Sequence, residues 1–559
     1  MRGFGLLLAL CTGLSGGAQA LDLRGPALAV ASSFGQSMPP DLLDRALSLG
    51  VRDFRDELFW FRTEGDDGRF RFDTPLSNYP DRIGAAGGTV SLLVNNGHQN
   101  YEDGATPLGT RAVRGFGRHA AAVVQRFPEV TSVEVGNEFN SDGFVSGPLR
   151  DRDLDARAAA YTALLQSVHE QVRAVRPEVR IIGGGVHSVP TGYLRRMLEL
   201  GAADYMDSIA LHPYDTPVDQ LRREIDVMRR LPGLAEMPVE ITEFGSESTA
   251  EAANTFLRGY CQMALSGVSR LAWYALNERG DGFVPLIGAD LQTTPAFDSW
   301  TLVRDRMEGR AVIDASPDPV TYGCLFDERV LVIWGEPREL TVLAPDVRAV
   351  DATGAPLDGD QFTLQTDAPV ILLSDRPIKA GRDYRLGPQG VIADSFHQFT
   401  FPDPDRPGTS SDPFRRFLRY GTKEFDLQTM PGQDKPGRPW TPWLGLPEDE
   451  SARLLANVIL PVSSSGQPVE IVHAFTAPEP MRLDVKANFE VLGDGGDGIT
   501  VTVRRNGTAI GRWTGRDRYA FERADLALNT GDTLEIAVSA GGSADGDLTA
   551  YRITLRRPG

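Results

Sequence analysis

Short apolar runs alternate with longer amphipathic stretches from residue 28 to about residue 308. Eight such runs occur, and each has the length and the side chains of a buried strand. They are Leu28–Phe34, Val51–Leu58, Thr89–Asn96, Ser132–Asn140, Arg180–Val186, Ser208–Tyr214, Pro238–Gly245 and Arg270–Leu276. Eight β/α repeats in about 280 residues predict an α/β fold of the (β/α)₈ (TIM) barrel type.

The stretches between the runs have the pattern of helices. In Arg111–Arg126 and Asp155–Val175, apolar residues recur at three- and four-residue spacing. An open, doubly wound sheet is the main alternative. Such a sheet rarely needs eight repeats, and no G-x-G-x-x-G sequence follows the first run. The barrel, over residues 21–308, is therefore the favoured prediction.

The pattern changes near Glu308. Residues 309–385 contain short apolar runs separated by turn sequences, which predict a small antiparallel β-domain. Residues 386–559 predict a C-terminal β-sandwich or jelly roll, whose first part, up to about residue 450, is irregular and rich in Pro, Gly and Asp. The runs that predict strands are Thr321–Leu325, Val330–Trp334, Glu339–Val342, Val370–Leu373, Ala456–Pro461, Val469–Thr476, Met481–Val491, Ile499–Asn506, Thr508–Trp513, Thr533–Val538 and Leu548–Leu555.

Residues 1–20 have the features of a signal peptide. Arg2 is the short positive region, Phe4–Leu10 is apolar, and Ala18–Ala20 forms an A-x-A cleavage signal. We therefore expect an exported chain, periplasmic or extracellular, that begins near Leu21. No later run approaches the ~18 apolar residues of a membrane span. A net charge of −19 without a basic tract argues against a nucleic-acid partner.

Two cysteines remain after that cleavage, Cys261 and Cys324. Export permits a disulfide between them. They fall in different predicted domains, however, and two separately buried thiols are the favoured prediction. No zinc-ligand spacing occurs, and the sequence implies neither a metal nor an organic cofactor.

Two carboxylates stand where predicted strands meet their loops. Glu138 ends the sequence V-G-N-E at the close of the fourth run, and Glu243 ends E-I-T-E in the seventh. Barrel enzymes carry their catalytic groups at these strand ends. Glycoside hydrolysis needs one protonated and one ionised carboxyl group beside the scissile bond. Glu138 and Glu243 are therefore the predicted catalytic residues.

Two neighbouring carboxylates are predicted to be structural. Glu240 lies three residues before Glu243, so the strand period of two assigns it to the opposite face. Glu134 lies four residues before Glu138, on the same face but one layer deeper.

These residues carry a resemblance to a known family. Asn137-Glu138, and the T-E-F-G sequence that begins at Thr242, resemble the motifs of glycoside hydrolase clan A, the retaining (β/α)₈-barrel glycosidases, in character closest to families 39 and 5. The resemblance covers about residues 25–378 and implies that Glu138 is the acid/base and Glu243 the nucleophile. Many clan members have Trp before the Asn-Glu pair and Pro after it, where this chain has Gly136 and Phe139.

The resemblance implies further site residues. Arg55 resembles the strand-two arginine that orients the nucleophile, and Tyr214 the tyrosine that bonds it. His212 resembles the imidazole at strand six. Trp273 resembles the strand-eight tryptophan that forms the floor beneath the reacting sugar. Asn137 is expected to contact the sugar 2-OH.

Two loop features add candidates outside that resemblance. Asn96 follows the third strand and is expected to line the barrel mouth with Asn95 and His98. Trp440 and Trp443 are either a sugar-stacking platform or a hydrophobic lid between domains, and the sequence does not separate the two interpretations.

The expected function is that of an exported retaining β-glycoside hydrolase, acting as a monomer on a polysaccharide such as a bacterial exopolysaccharide or an environmental glycan. Double displacement through a covalent glycosyl-enzyme requires a protonated Glu138, whose pKa we expect to be raised by the neighbouring carboxylate. One alternative is a polysaccharide-binding or matrix protein that has lost catalysis. Another is a transglycosylase that uses the same two glutamates.

Overall fold

A computed structural model describes residues 23–559 except 38, 40, 407, 409–410, 463–468, 494–495 and 544–546. The predicted signal peptide lies outside the described residues. Eight parallel strands close into a barrel, in which β8 pairs with β1. The strands are β1 Ala27–Ala31, β2 Asp53–Glu57, β3 Thr89–Val94, β4 Val130–Val135, β5 Arg180–His187, β6 Ser208–His212, β7 Val239–Phe244 and β8 Val268–Tyr274. All eight predicted barrel strands are confirmed.

Helices surround the barrel. They are α1 Leu42–Ser48, α2 Trp60–Thr63, α3 Pro75–Ala85, α4 Thr110–Arg126, α5 Leu154–Val175, α6 Thr191–Glu199, α7 Leu221–Met228, α8 Ala252–Leu265 and α9 Pro295–Arg306. Outward residues of the strands, such as Leu92 and Ile241, join the apolar core beneath these helices. Inward residues are largely polar. Ser132 donates to Ser91 at 2.9 Å, and Glu134 is fully buried. The barrel interior therefore carries a hydrogen-bonded network that ends at the mouth.

A small β-domain follows the barrel, as predicted. Its two sheets have the orders β13-β15-β11-β10-β9 and β14-β12-β16. Alternate residues of β11 face opposite ways: Trp334 packs on the barrel core, whereas Ile333 joins the core between the two sheets. The strands are β9 Val312–Asp314, β10 Thr321–Phe326, β11 Val330–Gly335, β12 Glu339–Val342, β13 Arg348–Val350, β14 Gln361–Thr363, β15 Val370–Leu373 and β16 Tyr384–Leu386.

Cys261 of α8 and Cys324 of β10 form a disulfide. The prediction of two separate thiols is therefore wrong. Tyr322, Cys324 and Trp334 lie on the sheet face that packs on the barrel. That packing brings the Cα atoms of the two cysteines to 6.0 Å, within bonding range.

The C-terminal part forms two further antiparallel sheets, of eight and six strands, around one core. Val227 of α7 belongs to that core, so the barrel and the sandwich share a packed boundary. The strands are β17 Val391–Asp394, β18 Phe414–Tyr420, β19 Lys423–Asp426, β20 Gln428–Met430, β21 Trp443–Leu446, β22 Asp449–Leu454, β23 Val458–Leu460, β24 Val469–Thr476, β25 Met481–Val491, β26 Ile499–Arg505, β27 Thr508–Gly515, β28 Tyr519–Leu528, β29 Thr533–Ala540 and β30 Thr549–Arg556. Within the described part of the chain, no helix is long and apolar enough to cross a membrane.

Candidate active site

Glu138 sits on a tight turn at the C-terminal end of β4. Gly136 and Glu138 have φ values of 71° and 47°, in the left-handed region. A side chain at Gly136 would meet the ring of Phe139 at 2.8 Å, so the turn requires glycine there. The Glu138 amide donates to the Gly185 carbonyl at 2.6 Å, which fixes the turn against β5. The strained backbone presents the Glu138 carboxylate to the mouth while it stays 4% exposed.

Glu243 reaches the same mouth from β7. One carboxylate oxygen of Glu243 and one of Glu138 lie within 4.8 Å of each other. The pairing of β7 with β8 is irregular between Ile241 and Phe244. Adjacent residues of a regular strand face opposite sides, but irregular pairing changes the direction of a side chain. Thr242 points into the barrel, and the next residue, Glu243, can therefore still face the mouth. The two predicted catalytic carboxylates are thus brought together.

Arg55 and Tyr214 hold the Glu243 carboxylate from both sides. Arg55 Nη1 donates to Glu243 Oε1 at 2.6 Å, and the Tyr214 hydroxyl donates to Oε2 at 3.0 Å. Arg55 also donates to Glu134 at 2.7 and 2.9 Å, so its fork is fixed by a second carboxylate. Burial lowers the pKa of Arg55, but Glu134 and Glu243 raise it further, and the guanidinium stays charged. Glu134 is therefore an orienting residue beneath the reacting pair.

His212 bridges the two carboxylates. Its Nδ1 lies 2.9 Å from Glu138 Oε1 and 3.8 Å from Glu243 Oε2, while Nε2 lies 3.0 Å from the Thr242 hydroxyl. Burial lowers the pKa of His212, but Glu243, Glu134 and Glu138 raise it to about 9. A cationic imidazole consequently stands between the two reacting groups at neutral pH.

His187 is a second imidazole partner of Glu138, which the sequence analysis missed. Its Nδ1 lies 3.3 Å from Glu138 Oε2, and its Nε2 lies 2.6 Å from Asp215 Oδ2. Burial lowers the pKa of His187, but Asp215 and Glu138 raise it to about 9. The sequence could have revealed His187, because it ends β5, and the ends of the strands are the positions that led to Glu138 and Glu243.

The two imidazoles reverse the expected ionisation of Glu138. Burial raises the pKa of this carboxyl, but hydrogen bonds and charge from His187 and His212 lower it to about 2. The prediction of a raised pKa is wrong for the resting protein, because it considered only the neighbouring carboxylate. The acidic proton resides on the imidazoles, one hydrogen bond away from Glu138.

Asn137 and Asn96 take different positions. Asn137 is buried, and its Oδ1 accepts from Arg55 Nη2 at 3.2 Å, directly beneath the carboxylates. Asn96 is exposed at the end of β3 and donates to Glu57 Oε1 at 2.5 Å. Burial raises the pKa of Glu57 to about 7, although the bond from Asn96 lowers it. Glu57 is thus a further titratable carboxyl at a strand end.

Trp273 does not face the mouth. Its ring packs edge-on against Phe244 and Phe256, and its indole nitrogen donates to the Val284 carbonyl, so it belongs to the layer between barrel and helices. Because successive strand residues point to opposite faces, the side chain of the next residue, Tyr274, points towards the mouth instead. The rings of Tyr274 and Tyr214 lie 6.3 Å apart. The prediction that Trp273 forms the floor beneath the sugar is therefore wrong, and Tyr274 is the aromatic residue of β8 that lies beside Tyr214.

Glu138, His212 and Glu243 could also be considered as a metal site, because one ligand atom of each lies within 4.8 Å of the others. Arg55 donates directly to Glu243, however, and a fixed guanidinium on the same carboxylate opposes a second cation. The arrangement fits a reacting carboxylate pair with an imidazole partner better than a metal centre.

Comparison of the chain with models of protein families and with curated proteins by sequence gives no match. Among solved structures it is similar to a family 39 glycoside hydrolase from Bacteroides cellulosilyticus WH2, with a TM-score of 0.51, 18% identity, and 63% of this chain and 81% of the other covered. The two chains share the (β/α)₈-barrel fold. The chain is also similar to a monomeric β-xylosidase from Caulobacter crescentus CB15 (TM-score 0.45, 14% identity, 63% and 98% covered) and to a β-porphyranase of family 86 from Bacteroides plebeius (TM-score 0.40, 12% identity, 95% and 96% covered).

Proposed function

We propose that the protein is a retaining β-glycoside hydrolase in which Glu243 is the nucleophile and Glu138 the acid/base. The observation that carries the proposal is the carboxylate pair at the barrel mouth, with one oxygen of each within 4.8 Å. Retaining glycosidases hold their carboxyl groups about 5–5.5 Å apart, whereas inverting enzymes need about 6.5–9.5 Å to admit a water. The short spacing supports attack by a carboxylate rather than by water.

The contacts of Glu243 suit a nucleophile. Arg55 and Tyr214 each hold one of its oxygens, which fixes the orientation of the carboxylate. Attack on the anomeric carbon forms a glycosyl-enzyme and transfers the negative charge of Glu243 to the departing oxygen. Glu138 must deliver a proton to that oxygen at the same time.

The contacts of Glu138 suit a group that takes and returns a proton. His187 and His212 both lie within reach of its oxygens. Glu138 receives a proton from an imidazole, passes it to the leaving group, and then accepts a proton from the water that hydrolyses the glycosyl-enzyme. In that second step the bond between the sugar and Glu243 breaks, and Glu138 returns the proton from water to the imidazole, so that all three groups end the cycle as they began it.

The compartment and the substrate are also part of the proposal. The apparent signal peptide, and a disulfide between Cys261 and Cys324, support export to an oxidising compartment. A large C-terminal sandwich beside the mouth favours a polysaccharide over a small glycoside. Among the alternatives, a binding or matrix protein does not need a reacting pair held in this way, whereas a transglycosylase would share it.

The test is product release from bacterial and plant polysaccharides by the native protein, Glu138→Gln and Glu243→Gln. Loss of at least about a hundredfold in both folded variants is expected, because acid–base groups contribute about 10²–10⁴-fold. Glu236→Gln, on the exposed segment before β7, is the matched control. Activity that survives Glu243→Gln would contradict the assignment of the nucleophile. Products longer than the starting material would indicate the transglycosylase instead.

A further inference from the structure

A segment of the C-terminal domain reaches the barrel mouth on the side of Glu138. Gln433 is buried and donates to the Asn140 carbonyl at 3.0 Å, while the Asn140 amide donates to Gln433 Oε1 at 3.0 Å. Asn140 is the second residue after Glu138. Next to this pair, the Gly192 amide donates to the Gly432 carbonyl at 3.0 Å. The segment is therefore bound to the loop that carries the acid/base.

Trp440 of the same segment lies beside the catalytic imidazole. Its ring meets the ring of His187 edge-on, with 4.7 Å between the centroids, and His187 contacts Glu138. Trp443, three residues later, is 1% exposed and belongs to β21, whereas Trp440 is half-buried. Trp440 thus remains partly exposed at a position next to His187, the partner of Glu138.

A cleft of about 610 Å³ separates this segment from the loop after β4. Its size is in the range of ligand sites, about 300–1,000 Å³. The barrel side presents Asn140, Asp142 and Arg150, and the domain side presents Gln433, Arg438 and Trp440. Polar donors and acceptors around one aromatic ring fit a ligand with many hydroxyl groups and flat apolar ring faces, as pyranose sugars have.

The direction of the cleft identifies which part of the substrate it receives. Glu138 protonates the leaving group, so the leaving group must lie on the Glu138 side of the scissile bond. The cleft begins at Asn140, on that side. We propose that Gln433–Trp440 and the loop after β4 form the binding site for the leaving-group sugars, with Trp440 stacking on one of their rings. This inference rests on the proposed function.

The experiment compares two kinds of substrate with the same reacting sugar. The first kind are 4-nitrophenyl β-glycosides, made from xylose, glucose and galactose and from the β-linked trisaccharides of these sugars. Their leaving group is 4-nitrophenol and contains no sugar. The second are the unmodified β-linked hexasaccharides. The variants are Trp440→Ala and Trp440→Phe, with Trp513→Ala as the control. Trp513 is another half-buried tryptophan of the C-terminal domain, stacked on Tyr519 within the sandwich.

Trp440→Ala should lower kcat/KM on the hexasaccharide by about tenfold, mainly through KM, because an aromatic stacking contact is lost. It should leave hydrolysis of the 4-nitrophenyl glycosides within about twofold of native. Trp440→Phe should recover most of the loss, and Trp513→Ala should lose nothing. A loss confined to kcat, with KM unchanged and the high-pH fall in activity shifted, would overturn the binding site, since Trp440 would then act only through His187. No loss on the hexasaccharide would overturn it too.

Failure of the proposed function has a different signature. If the native protein hydrolyses none of these substrates, or if Glu243→Gln stays active on them, the nucleophile assignment fails and the leaving-group site falls with it. A selective loss in Trp440→Ala that is expressed in KM, in a protein that needs Glu243, supports both.

Discussion

Charge balance explains the side chains around the reacting pair. Three carboxylates, those of Glu134, Glu138 and Glu243, face the guanidinium of Arg55 and the two imidazoles at the barrel mouth. Buried carboxylates are costly unless they are paired and hydrogen-bonded. The three cationic groups therefore balance the charge of the three carboxylates, and in the proposed mechanism the imidazoles also provide the proton.

The pH profile should reflect those imidazoles. The pKa of His187 and that of His212 are raised to about 9, and that of Glu138 is lowered to about 2. A raised imidazole pKa means that the proton is held below about pH 9 and lost above it. Because glycosylation needs this proton, kcat/KM should fall as the pH rises through about 9.

Asp215→Asn tests whether His187 causes the fall in kcat/KM at high pH, which is the basic limb of the pH profile. Asp215 raises the pKa of His187 through a 2.6 Å contact, so the variant should lose activity at a lower pH than the native protein. Asp204→Asn, an exposed residue on the segment before β6, is the control and should keep the native profile. A basic limb that does not move in Asp215→Asn would contradict a role for His187.

At single positions, the sequence predicted which side chains meet at the barrel mouth better than which ones surround them. Glu138, Glu243, Arg55 and Tyr214 are brought together because strand ends of a parallel barrel converge. Trp273 and Tyr274 are adjacent residues of β8, and adjacent strand residues point to opposite faces. An error of one residue therefore selects the wrong ring. Which ring points inward depends on the register of β8, and a single sequence does not contain that register.

Irregular strand pairing shapes the mouth. The pairing of β5 with β6 shifts register at Gly184, and that of β7 with β8 shifts between Ile241 and Phe244. Glu240 illustrates the effect: it pairs with Arg180 at 2.6 Å and with Arg270 at 3.6 Å, inside the barrel near its base. The prediction that Glu240 and Glu243 lie on opposite faces was wrong, because a strict period of two does not hold across the irregularity, whereas the ion pairs of Glu240 fit the structural role predicted for it.

Gly184→Ala should disturb the β5 irregularity. Gly184 has a φ of 87°, and an added Cβ would lie 2.7 Å from the Ala210 carbonyl oxygen. We expect the free energy of unfolding to fall by about 1–3 kcal/mol, measured by urea denaturation. Gly280→Ala is the matched control, because Gly280 has a φ of 80° but nothing within 4 Å of the added carbon. Equal losses in the two variants would show that the contact with Ala210 costs nothing.

The C-terminal sheets were harder to predict than the barrel. Strand β28 was missed because its burial does not alternate and because its pairing with β25 shifts register next to Asp525, whose φ is 56°. The region up to residue 450, which seemed irregular, contains β17–β21. In β18, arginines such as Arg415 interrupt the apolar pattern, although they are paired with Glu424 and Asp426 in the fold.

At the scale of the whole molecule, the three parts are joined by packing and by one covalent bond. The barrel shares its core with one face of the small β-domain, and α7 contributes to the core of the sandwich. The order of the parts followed from the change of pattern near Glu308. The contacts between the three parts could not be predicted, because tertiary packing between domains leaves no local signal in the sequence.

Removal of the disulfide should lower the stability of the joined molecule. Cys261 and Cys324 are 63 residues apart, and closing a loop of that size stabilises a protein by about 2–4 kcal/mol. Cys261→Ser/Cys324→Ser should therefore have a lower Tm than the oxidised native protein by calorimetry. Native protein measured in reducing agent is the control and should approach the variant. An unchanged Tm in both would contradict a stabilising bond.

The most direct test of the central claim is to trap the glycosyl-enzyme. The protein is incubated with 2,4-dinitrophenyl 2-deoxy-2-fluoro-β-glycosides of glucose, xylose and galactose, and its peptides are examined by mass spectrometry. The account predicts one covalent sugar per chain, located on Glu243, and none on Glu243→Gln. A sugar attached to another residue, or turnover of the substrates with inverted products and no adduct, would contradict it.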